Sequence, residues 1–237
     1  MSTALTAAIT TTDTGLDELA LVRLLHLVSP ALPIGAFAWS QGLESVIDNG
    51  VATDADSIER WVGGILRHNL THLDLPLLLR LHCCALHQDV AALEYWNDYA
   101  LASRETHELY QEDTQLGRAL WQLLKRLEIR THWTGTDEPI SLLTTFAEAA
   151  VHARVPARAT AIGWLWSWLE NQMAVACKAL PLGQTDAQRI LQHLMPEVPA
   201  CIERAAALND DELGASYPGF AIVCSNHETQ YSRLFRS

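Results

Sequence analysis

LVSPALPIGAFAWSQGL, residues 27–43, contains no charged residue and closes on Glu44. Its length approaches that of a membrane span, but Pro30, Pro33, Gly35 and Gly42 interrupt any continuous helix across it. Irregular backbone exposed to lipid would leave amide groups unpaired, so the stretch reads as an apolar turn of a soluble protein. Such a turn must be covered, either by the rest of the fold or by another protein. A helix is expected to restart near Ala36, to run from about Phe37 to Ile47, and to stop at Asp48-Asn49-Gly50.

Working outward, Leu21, Leu24, Leu25 and Val28 recur at spacings of three and four, which predicts an amphipathic helix ended by Pro30. Thr53 or Asp54 is placed to cap a helix carrying Ile58, Trp61 and Ile65 on one face. The run LPLLLRLHCCALH that follows Asp74 is apolar nearly all round, and this predicts a central helix with Asp74 as its cap and Pro76 tolerated in its first turn. Further helices are expected from Asp89, over about Ser103–Leu127, over Ser141–Arg154, and from Ala157 to about Ala179. Two more are expected, from Thr185-Asp186 to Met195 and over about Val198–Leu208. THWTGTDEP, residues 131–139, is the clearest interior loop. No alternating strand pattern, internal repeat or low-complexity linker is present. The fold class that follows is all-α, a single-domain bundle of roughly ten helices. Its parts are a flexible lead over 1–15, a helical domain over 16–208 and a docking tail over 209–237. The tail shows no helical stripe of its own. Its closing residues Tyr231, Arg233, Leu234, Phe235 and Arg236 have the aromatic and arginine content of a binding anchor.

Composition narrows the function. A net charge of −12 argues against non-specific attraction to nucleic acid or to an anionic membrane. The five cysteines are odd in number and scattered without a CxxC pair, which favours a reducing cytoplasmic compartment over a disulfide framework. The first residues lack the basic and long apolar regions of a signal peptide. No GxxxxGK[ST] or GxGxxG offers a phosphate cradle. His68 and His72 sit one turn apart, and His82 and His87 flank Cys83-Cys84, but neither set closes a metal site; His227-Glu228 fails HExxH because Tyr231 stands at the fifth position. Glu105, Glu108, Glu112 and Asp113 crowd one helix between Arg104 and Arg118, as a solvated face or an electrostatic docking patch would. Trp164, Trp166 and Trp168 read chiefly as packing residues. An alternative from another class is a helical small-molecule-binding enzyme, its ligand held in a bundle core lined by these tryptophans and Cys83/Cys84.

SPALPIGAFAWSQGLE, RETHELYQEDTQLGRAL, KALPLGQTDAQ and the terminal HETQYSRLFRS resemble, in order and spacing, the UreF family of urease accessory proteins. The resemblance extends from about Leu21 to Ser237; Ala36 and Ala38 stand where the family often has a second glycine or a serine. It implies an all-helical, non-enzymatic scaffold acting in maturation of the nickel centre of urease; no cofactor and no metal-binding residue is assigned. The implied partners are UreD (UreH in some organisms), the nickel-carrying GTPase UreG and apo-urease, with a homodimer as the usual state. On this reading Tyr231, Arg233, Leu234, Phe235 and Arg236 meet UreD/UreH. Ser40, Gln41, Glu44, Lys178 and Gln184 form the surface toward UreG. Leu32, Pro33, Ile34 and Phe37 are then expected in the core, and Ser40 to Glu44 at the surface.

Overall fold

A computed structural model describes residues 16–133, 138–214 and 217–237. The proposed lead over 1–15 and the centre of the 131–139 loop lie outside the described residues. The described residues form helices joined by short connections, with no β-strand among them. In chain order these are α1 (Glu18–Leu27), α2 (Leu43–Asp48), α3 (Ala55–Ile65), α4 (Asp74–His87), α5 (Val90–Ala102) and α6 (His107–Arg126). There follow α7 (Leu142–His152), α8 (Ala157–Ala179), α9 (Gln184–Leu194), α10 (Val198–Ala207) and α11 (Pro218–His227).

The apolar run of the fourth helix places it at the centre. Leu75, Leu77, Leu78, Leu79 and Leu81 of α4 are buried, and the helix packs against α5, α7, α8 and α10. One apolar cluster joins α2, α3, α8, α9, α10 and α11 with Leu75 and Leu79 of α4; a second joins α1, α5, α6 and α7 with Leu77, Leu78 and Leu81 of α4. Trp164 and Trp166 on α8 touch both, so the tryptophans weld the two halves of the core. Caps follow local chemistry: Asp54, Asp89, Thr106 and Ser141 each accept an amide hydrogen bond at a helix start. A π-helical turn over Leu66–Leu70 carries the chain from α3 to the start of α4.

Three local expectations are corrected. The stretch after Gly35 makes only a short 3₁₀ turn, Ala36–Ala38, and then extends at Trp39. Left-handed backbone at Gln41 and Gly42, φ 50° and 74°, delays α2 until Leu43. Gly42 is required twice over, because a Cβ there would also stand 3.0 Å from Val223 and from the Cys224 sulfur on α11. Asp74 does not cap α4 from outside. It is the first helical residue, and its carboxylate receives Arg104 at 2.8 Å. Finally, the last segment does hold a helix, α11, which buries Phe220, Cys224 and His227 at spacings of four and three.

Arg104 and Asp113 fix α6 in this frame. Arg104 bridges Asp74 and Asp113, each at 2.8 Å, while Asp113 also accepts the Leu142 amide at 2.7 Å and the Ser141 hydroxyl at 2.9 Å. Burial alone would disfavour the Arg104 charge, but the two carboxylates outweigh it and raise its pKa further. Asn97 completes the junction by accepting from the Ser141 amide at 2.9 Å and donating to the Pro139 carbonyl at 3.2 Å. Gly117 lets α6 approach the same turn. A Cβ there would fall 2.7 Å from the Ser141 carbonyl carbon and still closer to the Ile140 carbonyl oxygen. Gly117→Ala is therefore expected to cost about 1–3 kcal/mol of stability, read as a lowered midpoint in a thermal melt. Arg104→Ala, which strands two buried carboxylates, is expected to cost about 3–5 kcal/mol in the same measurement.

Candidate functional site

The segment after α11 lies as a strap across the uncharged stretch. The Arg236 amide donates to the Ala38 carbonyl at 2.9 Å, and the Ser40 amide donates to the main-chain oxygen of Ser237 at 2.9 Å. These are strand-like bonds, and they explain why Trp39 is extended. The Ser40 hydroxyl also donates to the Ser237 main-chain oxygen, and the Gln41 amide donates to the Ser237 hydroxyl at 3.2 Å.

Three carboxylates hold the strap. Glu44 on α2 accepts the amides of Leu234 at 2.6 Å and Phe235 at 3.0 Å. Its Oε2 also lies 3.2 Å from His227 Nε2. Glu108 on α6 receives Arg233 at 2.5 Å through one oxygen and lies 2.7 Å from His227 Nδ1 through the other. Both ring nitrogens of the buried His227 thus face carboxylate oxygens. Glu112, one turn on, accepts Gln41 Nε2 at 2.9 Å and the Ser237 hydroxyl at 3.2 Å. Burial pushes Glu112 up to about 7, against the lowering effect of those two hydrogen bonds. Gln41 is fixed from its other end, where its Oε1 accepts the Trp168 indole at 2.7 Å.

The residues expected to face a partner divide sharply. Phe235 is buried in the core, with the Lys178 ammonium 4.5 Å above its ring. Arg236 is exposed, lies 5.7 Å over Trp39 and donates to Gln115 at 3.1 Å. Arg233 is exposed yet paired to Glu108, whereas Tyr231 is fully exposed and Leu234 is 58% exposed. The expected split within the uncharged stretch is corrected, since it runs the other way. Phe37 is 70% exposed and Pro33 is exposed, Ile34 is half-buried and only Leu32 is buried, while Ser40 and Glu44 are buried. Ser40 and Glu44 therefore hold this chain's own strap and offer no free surface. Gln41 is half-buried with both ends of its amide engaged. Lys178 is exposed, and Gln184 is exposed at the start of α9, where Gly183 stands as N-cap and α8 has already ended at Ala179.

Sequence reasoning missed Glu108, Glu112, His227 and Ser237. Glu108, Glu112 and Asp113 are buried where a solvated face or an electrostatic docking patch was expected. A signal was present: Asp113 stands four residues after Leu109 and three before Leu116, inside the apolar stripe that continues through Leu120 and Leu124. Among the described residues no group of three or more His, Cys, Asp or Glu is arranged to hold a metal ion. His82 lies 2.9 Å from the Val155 carbonyl oxygen, and His87 lies 2.9 Å from the Cys83 carbonyl oxygen. An apolar cavity of about 180 Å³ opens between the uncharged stretch and α8, walled by Leu32, Phe146, Trp164 and Trp168; Cys83 and Cys84 do not line it. No helix among the described residues is long and apolar enough to cross a membrane.

Removing the Glu44 carboxylate leaves two strap amides and one imidazole nitrogen without acceptors. Glu44→Ala is expected to destabilise the docked strap by about 1–3 kcal/mol. The check is a faster exchange of the Leu234 and Phe235 amides while α4 remains protected.

The comparisons with known proteins fit this geometry. A family model described as UreF matches residues 52–195. The chain is 48% identical over 232 residues to "Urease accessory protein UreF" of Pseudoalteromonas translucida, covering 96% of this chain and 98% of the relative. It is 49% identical over 228 residues to the protein of the same name from Marinobacter nauticus, with 96% and 98% covered. The protein of that name from Hahella chejuensis is 48% identical over 222 residues, with 94% and 100% covered. The chain belongs to the UreF family of urease accessory proteins.

Proposed function

We propose that the protein is a non-enzymatic, cytoplasmic scaffold of urease maturation that binds UreD/UreH through its strap and engages the nickel-carrying GTPase UreG beside apo-urease. One observation carries the reading: Tyr231 and Leu234 project outward from a strap whose backbone is held at several points. Exposed aromatic and aliphatic side chains on a pre-positioned backbone lose little entropy on docking, which is what an interface anchor needs. The exposed Ile222 on α11 extends the apolar surface available on this part of the chain. For the surface toward UreG, the burial of Ser40 and Glu44 and the engagement of Gln41 leave Lys178 and Gln184. The absence of a phosphate-loop motif from the sequence agrees with nucleotide chemistry residing in the partner.

Point substitutions test this better than truncation, because deleting the strap also removes Phe235 from the core. Tyr231→Ala combined with Leu234→Ala is expected to weaken capture of UreD/UreH by about thirtyfold or more, the effect of losing a hot spot of about 2 kcal/mol. The melting midpoint should not move, since neither side chain is buried. Undiminished capture would remove the strap from that interface. For the GTPase surface, Lys178→Ala with Gln184→Ala should lower co-purification of UreG with the complex. Unchanged co-purification and unchanged GTP hydrolysis would exclude both residues as contacts.

A further inference from the structure

We propose that the strap is a proton-linked latch, closed while Glu112 is protonated and released as that proton leaves. Glu112 is the interior post. The Ser237 hydroxyl and the Gln41 amide bond its two oxygens, and Ser237 itself is buried against it. The charged and titratable groups around Glu112 do not neutralise it. Asp113 adjoins it on α6 with the same sign, and Arg104 already spans Asp113 and Asp74. From α11 it is faced by Cys224, whose thiol burial and the surrounding glutamates push upward, so it stays neutral. The Trp168 indole reaches Glu112 only through Gln41.

The strap is part of what keeps water from Glu112. Its release hydrates the carboxyl and returns it toward the ordinary carboxylate range. The closed state therefore has the higher pKa, about 7 against an ordinary 4.5, with burial as the leading cause. A group whose pKa is raised in the closed state stabilises that state fully at low pH and loses the contribution as pH rises through about 7. His227, the last residue of α11, lies beside the same strap. It is faced by Glu44 from α2 and by Glu108 from α6, while Arg233 of the strap shares Glu108. Glu228 accepts the Glu108 amide at 3.1 Å and so ties the start of the strap to the same helix end. Lys178 and Arg236 pack over aromatic rings at the rim. The linked proton on Glu112 thus favours closure, and the strap loosens on the alkaline side of neutrality.

Hydrogen exchange of the isolated full chain tests this without any partner. One proton linked at a midpoint near 7 changes the closed-to-open ratio about tenfold between pH 6 and pH 8. After correction for intrinsic exchange, the protection factors of the Leu234, Phe235 and Arg236 amides should fall by about that factor. The Leu77–Leu81 amides of α4 should hold constant, which separates latch opening from unfolding. Glu112→Gln keeps the shape and the hydrogen-bonding partners but cannot ionise, so it should flatten most of the pH response. Wild-type strap protection that does not change with pH would overturn the proposal, as would an equal fall in a folded Glu112→Gln variant. If that variant does not fold, the wild-type series decides alone. The consequence for UreD/UreH, that capture weakens above neutrality, rests on the scaffold reading above. A latch that opens with pH while capture stays constant would refute the assignment of the strap to that partner and leave the latch established.

Discussion

The carboxylate of Glu44 is the point on which the arrangement of the strap depends. It stands in the first turn of a helix only six residues long, Leu43–Asp48, that could not persist alone. From there it gathers two strap amides and the imidazole of α11, joining elements more than 180 positions apart in the chain. Charge-assisted hydrogen bonds of this kind exceed neutral ones in strength, and those to backbone amides fix the register of the bonded segment as well as its energy. Once Leu234 and Phe235 are set, the Phe235 side chain enters the core beneath Lys178, and Leu234, its neighbour, is turned out to solvent. Outward presentation of the candidate contact residues is thus a consequence of inward bonding by their own backbone.

Glu108 and Glu112 act with Glu44 only because α6 is held against the centre of the bundle. That placement comes from the Arg104 bridge to Asp74 and Asp113 and from the close approach permitted by Gly117. A buried ion pair is weak evidence for net stability, because desolvation consumes most of its Coulombic gain. Its worth here lies in position. Asp113 bonds the first turn of α7 while Arg104 bonds the first residue of α4, so the register of α6 is specified relative to both. Glu112 is the preceding residue on the same helix, and any slip of α6 would remove it from Ser237.

The helical class, the central position of α4 and the span Ala157–Ala179 of α8 were legible because apolar periodicity and strong caps act over short distances in the chain. The strap was legible in composition but not in conformation. An extended segment shows itself by its partners, and these lie on α2, α6 and the uncharged stretch. The inversion between Phe37 and Glu44 has the same origin. Hydropathy ranks Phe37 inward and Glu44 outward, and it cannot register that a carboxylate supplied with amide and imidazole donors is cheaper to bury than an unbonded one. The acidic run on α6 misled for a related reason: three of its members bond groups that arrive from distant parts of the chain. The resemblance to the UreF family located the important segments but not which side chains within them point inward.

A strap docked on its own chain alters the thermodynamics of recognition. A disordered tail would lose conformational entropy when a partner ordered it, and its affinity would be reduced accordingly. Here the backbone from Leu234 to Ser237 is already ordered, so a partner that accepts the strap in place meets Tyr231 and Leu234 with that cost removed. A partner that instead required the strap to leave would bind with an affinity reduced by the fraction of molecules in the open state. It would also expose Glu44, Glu108 and Glu112 together, three carboxylates in an apolar setting, and would have to supply donors for them. The arrangement therefore favours partners that dock on the closed strap and selects against those that displace it. The protonation of Glu112 sets how strongly that selection operates.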